Sequence, residues 1–192
     1  LATRNGLAIR FNEADARSMG RTTEGVRGVR LGKGDYVVGM VVVAREDATL
    51  LVVSESGMGK RSEIDAYRLQ SRGGKGVINL KTNEKTGKVV AIKSVIEEDQ
   101  LMVITRNGVI NRQRIDEIRV IGRATQGVRL VNLDKGDSVM DVARVFPENG
   151  SDGDIDGESE VDGEIEGGGE IESGGEDVLS EGGGEPGDEE SD

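Results

Sequence analysis

Arg10, Arg61 and Arg112 stand 51 residues apart, and Arg21, Arg72 and Arg123 repeat the same step eleven residues further on. A guanidinium stays charged at any physiological pH and presents a rigid fork of N–H donors that matches a phosphate or a carboxylate. Structure alone rarely demands arginine at a fixed interval, so the two series imply a repeated scaffold that presents a ring of positive charge. The sharpest local motif surrounds the middle member of the second series, Gln70-Ser-Arg-Gly-Gly-Lys-Gly76. There the backbone N–H groups can approach a phosphate closely, while Arg72 and Lys75 supply charge. It is not a nucleotide P-loop, because no Gly-Lys-Ser/Thr opens a helix after a strand. Taken alone it also reads as a glycine turn with incidental charges. The basic residues at equivalent places in the other two units favour the phosphate reading.

Other chemistries are excluded by composition. The chain of 192 residues has no Cys and no His, so disulfides, thiolate chemistry, imidazole bases and Cys-ligated zinc are ruled out. Tyr36 and Tyr67 fall within strand-like stretches and read as packing residues rather than nucleophiles. The longest apolar run, Val37 to Ala44 with Gly39 inside it, is too short to span a bilayer. No charged segment followed by an apolar one opens the chain, so a cytoplasmic protein is expected, with no membrane partner. Of 37 acidic residues, 19 lie between Glu148 and Asp192, where there is no Lys or Arg. The first 147 residues therefore carry 25 basic against 18 acidic side chains, a surplus of +7 beside a tail of −19. A basic body points to a polyanion partner, and the tail could compete with that partner.

The elements that position these residues follow the same period. Gly6, Gly57 and Gly108 recur, as do Gly25, Gly76 and Gly127. Recurring glycines mark backbone positions that only glycine fits. Each unit opens with two short apolar strands around a turn, and Asn5-Gly6 and Asn107-Gly108 are strong hairpin signals. A third strand is expected where apolar and polar residues alternate, over Tyr67–Gln70 and Ile118–Ile121. The Gly-rich loops 20–25, 71–76 and 122–127 come next, then a turn and a long apolar strand such as 36–44. Val, Ile and Leu dominate the apolar content, which suits strands. About four strands per unit and almost no helical periodicity predict an all-β, propeller-like disc with one blade per repeat. The predicted units are 1–49, 50–100 and 101–147, followed by a disordered acidic, Gly-rich tail over 148–192. The chain opens inside a strand-like run, so it is expected to be the C-terminal part of something longer, with further blades upstream. Asp152-Gly-Asp-Ile-Asp-Gly157 begins like a calcium loop but has Gly163 where a bidentate Glu is needed, so it reads as tail.

Tyr67-Arg-Leu-Gln-Ser-Arg-Gly-Gly-Lys-Gly-Val-Ile-Asn-Leu80 resembles a blade of the C-terminal domain of DNA gyrase A. So do residues 20–31 and 126–133, and the resemblance covers the whole body. It implies a β-pinwheel, a partial disc here, whose basic rim binds and wraps duplex DNA without catalysis of its own. The parent would be a type II topoisomerase that introduces negative supercoils using ATP. It would be an A2B2 assembly, with gyrase B and a second copy of gyrase A, in the bacterial cytoplasm at the nucleoid. No cofactor is implied for this part; ATP and Mg2+ would act through gyrase B. The family's box is a Gln-Arg-Arg-Gly-Gly-Lys/Arg-Gly heptapeptide in the first blade. Gln70–Gly76 has Ser71 at the second place and lies in a later repeat, so the true box is expected upstream. The candidate DNA-facing residues are Arg10, Lys60, Arg61 and Arg112 after the hairpin, and Arg21, Arg72 and Arg123 in the loops. Arg27, Lys75 and Arg129 follow, with Gln70, Gly73, Gly74 and Gly76 completing the loop. As a set they suit sequence-independent phosphate contacts, and the scarcity of aromatics argues against single-strand stacking. The tail is expected to mimic DNA and tune wrapping. Two competing readings are the corresponding domain of topoisomerase IV and a propeller-type protein-interaction scaffold.

Overall fold

A computed structural model describes residues 1–146. The expected tail, its disorder and its calcium-like opening lie outside the described residues. The first repeat forms β1 (Ala2–Thr3), β2 (Leu7–Ala8) and β3 (Val37–Gly39). The second forms β4 (Thr49–Ser54), β5 (Met58–Glu63), β6 (Val77–Ile78) and β7 (Val89–Val95). The third forms β8 (Gln100–Thr105), β9 (Ile110–Arg114), β10 (Val128–Arg129) and β11 (Val139–Val145). Short 3-10 turns at Glu13–Asp15 and Ile64–Ala66 are the only helical pieces among the described residues.

The strands make three antiparallel sheets, ordered β3-β1-β2-β6, β10-β5-β4-β7 and β11-β8-β9. The short strands after the second and third Gly-rich loops, β6 and β10, thus cross to the sheet of the preceding repeat. β6 pairs β2 with Ala8 opposite Val77, and β10 pairs β5 with Gly59 opposite Val128. Both hairpin turns expected from Asn-Gly are present. The Gly6 N–H closes on the Thr3 carbonyl at 3.0 Å with φ of 85°, and Gly108 does the same on Thr105 at 3.1 Å with φ of 84°.

Side-chain alternation explains how the sheets stack. β4 is buried along its whole length, with successive residues pointing to opposite faces. Leu50 and Val52 join Ala2, Tyr67, Leu80 and Ile92 on one side. Leu51 and Val53 join Leu101, Val103, Ile115 and Val139 on the other. Each such aliphatic side chain contributes about 1.5–3 kcal/mol by leaving water. β8 buries only alternate residues, because nothing covers its far face among the described residues.

Two sequence expectations are corrected. Tyr67–Gln70 and Ile118–Ile121 are not ladder strands; each makes one parallel bridge to the preceding repeat, Leu69 to Arg10 and Val120 to Arg61. The 3-10 turn delivers the chain to that bridge, and the Gly-rich loop turns it away again. The long strand 36–44 is formed only over Val37–Gly39, because β1 offers a partner of just two residues. Its counterpart β7 is paired along β4 from Val89 to Val95.

Candidate nucleic-acid interface

The recurring residues fall into two classes, inter-repeat fasteners and free cations. Arg72 donates from Nε to the Asp15 carbonyl at 3.0 Å and from its terminal nitrogen to the Arg27 carbonyl. Arg123 repeats both bonds one unit later, to the Ala66 and Ile78 carbonyls at 2.9 Å each. These arginines reach back and clamp the preceding repeat. Arg10 and Arg61 reach forward: Arg10 donates to the Ile64 and Tyr67 carbonyls at 3.1 and 3.3 Å, and Arg61 Nε to the Ile118 carbonyl at 2.7 Å. Lys60 is 0% exposed, with its ammonium bonded to the carbonyls of Gly122, at 2.7 Å, and Arg123. Burial, and secondly the nearby Arg123 guanidinium, pull the Lys60 ammonium down to about 8.

The glycines belong to the same joints. A Cβ on Gly57 would lie 2.6 Å from the Val131 carbonyl oxygen, and one on Gly127 2.6 Å from that of Gly59. Gly6 and Gly76 meet Leu80 and Ala8 in the same way one repeat earlier. Arginine and glycine recur at this period because each joint between repeats is built from backbone carbonyls, which accept from one and leave no room beside the other.

This arrangement revises the set of DNA-facing candidates. Lys60 and Arg61, 0% and 3% exposed, are not surface residues, and their donors are spent on backbone carbonyls of the next repeat. Arg10, Arg72 and Arg123 are half-buried with their donors engaged, and Arg112 donates to Gln100 Oε1 at 2.6 Å. Gly73 and Gly76 face the preceding repeat, Gly74 packs near Ile9, and Gln70 is half-buried with its Nε2 unpartnered among the described residues. Arg21, Arg27, Lys75 and Arg129 are exposed, with side chains free of hydrogen bonds and ion pairs among the described residues.

One register series was missed. Arg17, Arg68 and Arg119 also stand 51 apart, and all three are exposed with unpaired side chains among the described residues. The period that revealed the other arginines also picks out these. All three stand just before a Gly-rich loop, and Arg68 and Arg119 adjoin the inter-repeat bridges at Leu69 and Val120. The loops are joined in turn to the preceding repeat. The Arg30 N–H donates to the Gly74 carbonyl at 2.8 Å, and the Lys81 N–H to that of Thr125 at 2.9 Å. Exposed Arg30 and Lys81 therefore lie against successive loops, and Lys75 adjoins one of these contacts. Such a track of free cations on repeated backbone is suited to polyanion contacts that ignore sequence. Tyr67 is buried and donates to Asn79 Oδ1 at 2.6 Å, and burial pushes its phenol up to about 12. It is thus held protonated as a packing residue.

A family model described as the DNA gyrase C-terminal domain, beta-propeller, matches residues 1–44, 48–96 and 99–145. The chain belongs to the DNA gyrase C-terminal domain family. DNA gyrase A of Lawsonia intracellularis is 47% identical over 142 residues, covering 73% of this chain and 17% of that protein. A solved DNA gyrase A C-terminal domain superposes with a TM-score of 0.70 at 30% identity, covering 76% of this chain and 49% of its own. The C-terminal domain of a DNA topoisomerase IV shares the fold, with a TM-score of 0.71 at 23% identity over 76% of this chain and 45% of that one. The gyrase-family fold is thus the propeller-like β architecture expected from the repeat. In this member of the family, Arg10, Arg61, Arg72 and Arg123 each bond carbonyls of the neighbouring repeat.

Proposed function

We propose that this chain binds duplex DNA without sequence preference and wraps it, as part of a gyrase A protein. The observation that carries the reading is the Arg17, Arg68 and Arg119 series, all exposed with unpaired side chains among the described residues and each standing just before a basic Gly-rich loop. Arg21, Arg27, Lys75 and Arg129 extend that track, and the fasteners hold its spacing. Phosphates run along any duplex whatever its sequence, so contacts to the backbone, not to base edges, supply the affinity. In this reading ATP and Mg2+ act through gyrase B in an A2B2 enzyme of the bacterial cytoplasm, and the acidic tail competes with DNA for the track.

The test is topological. Nicked circular DNA is sealed by ligase in the presence of the chain, and the linking-number distribution is read on a gel. Wrapping shifts the distribution in proportion to protein bound. A chain that binds the circle yet leaves the distribution unmoved does not wrap, and one that does not bind at low salt is a protein-interaction scaffold.

A further inference from the structure

The two ends of the sheets carry opposite charge. In the second sheet Thr49 stands opposite Glu63 and Val95 at one end, and Val53 opposite Gly59 near the other. The hairpin tips 4–6, 55–57 and 106–108 therefore share an end with the turns 32–36, 81–88 and 134–138. Across this end the Val89 and Val139 N–H groups donate to the Arg4 and Glu55 carbonyls, both at 2.9 Å. The segments 13–15, 45–48, 63–66, 96–99 and 115–118 lie at the opposite end, where the Ile115 N–H donates to the Asp99 carbonyl at 3.1 Å.

Those five segments hold eleven of the 18 acidic residues that precede Glu148, and one cation, Arg45. The hairpin end holds seven cations against five acids. Three of the five acids are tied into the turns. Asp35 Oδ1 accepts from the Asn5 and Tyr36 N–H groups at 2.9 and 3.0 Å, and Asp137 Oδ1 from those of Asn107 and Ser138 at 3.1 and 2.8 Å. Glu55 accepts from the Lys88 N–H at 2.8 Å and pairs with Arg4 at 3.4 Å. Lys33, Lys85, Arg106 and Lys135 stand at the same turns, exposed and with side chains unpaired among the described residues.

The chain leaving the third Gly-rich loop runs toward this end. Val120 bridges Arg61, Val128 lies opposite Gly59, and the Val131 N–H donates to the Gly57 carbonyl at 3.3 Å. Free cations follow that path, from Arg119 through Arg129 to Lys135, and one repeat earlier from Arg68 through Lys75 and Lys81 to Lys85. We infer that the duplex lies on the hairpin side of the basic track, with Lys33, Lys85, Arg106 and Lys135 as further phosphate contacts, and that the acidic end stays clear of DNA. This rests on the DNA reading and gives the duplex a side. At physiological salt charges act over about 8 Å, so a phosphate row at the Arg17 series meets like charge on one side and opposite charge on the other.

The chain has no Cys, so a single introduced one carries a label. Glu84→Cys and Asp134→Cys at the hairpin end, and Glu46→Cys and Glu98→Cys at the acidic end, each remove one exposed carboxylate. Each full-length variant is given the same photo-cross-linker and bound to a random-sequence duplex at low salt. At least tenfold more cross-linked duplex is expected from positions 84 and 134 than from 46 and 98. Lys85→Gln and Lys135→Gln should each lower the slope of log K against log salt by about 0.9. Equal yields from the two ends, a higher yield from the acidic end, or slopes unmoved by both lysine substitutions overturn the inference and leave DNA binding standing. An unlabelled chain without affinity at low salt overturns the DNA reading, and this inference with it.

Discussion

Replacing Arg61 and Arg68 by alanine, separately, distinguishes the two classes of arginine. Arg61 is 3% exposed and bonded to the carbonyl of Ile118, itself 2% exposed. Arg61→Ala leaves that carbonyl out of water and unpaired, a cost of about 1–3 kcal/mol. Loss of the packed stem brings the total to about 2–4 kcal/mol. For a body of this size each kcal/mol moves Tm by roughly 3 °C, so a fall of about 6–12 °C is expected. Arg68 is exposed, and Arg68→Ala should alter stability by no more than about 0.5 kcal/mol. DNA binding should sort the pair the other way. Removing a phosphate contact lowers the slope of log K against log salt by about 0.9, and only Arg68→Ala should do so. The assays are thermal unfolding by circular dichroism and fluorescence anisotropy with a labelled random-sequence duplex at several salt concentrations. Loss of salt slope in Arg61→Ala while the protein is folded, or a large loss of Tm in Arg68→Ala, would refute the division.

Two further outcomes follow from the joints. Lys60 titrates at about 8 in the folded chain against 10.5 ordinarily, so between these values the unfolded chain binds more protons and stability rises with pH. The urea midpoint should climb from pH 7.5 to 9.5 and climb less in Lys60→Met; Tyr67, held protonated up to about 12, opposes the trend only above about pH 10. Gly127 and Gly25 share positive φ, 78° and 81°, but only Gly127 faces a carbonyl. Gly127→Ala should therefore destabilise by at least about 2 kcal/mol in urea unfolding, and Gly25→Ala by about 1.

The period, the hairpins and the glycine positions were legible because each is a local demand of the backbone. Gly6 and Gly108 need positive φ wherever the rest of the chain lies. The exchange of β6 and β10 between repeats was not legible, because a two-residue strand has no periodicity and its partner is fixed by another unit. The arginines were misassigned for a related reason. Arg72 and Arg123 donate to carbonyls of residues 15, 27, 66 and 78, and a carbonyl carries no mark in a sequence. A donor recurring for a joint and one recurring for a ligand look alike until their partners are seen. The free series Arg17, Arg68 and Arg119 was in plain view but had no glycine motif around it to draw attention.

Whether the exposed basic track holds duplex DNA by its phosphates is tested most directly by affinity. The intact chain, and residues 1–147, are titrated with a random-sequence duplex from low to physiological salt. Both should bind without regard to sequence, with log K falling against log salt at a slope of about −2.7 or steeper if three guanidiniums each neutralise one phosphate. Binding should be tighter without the tail. A folded body with no affinity at low salt, or with affinity indifferent to salt, would contradict the phosphate-tracking role.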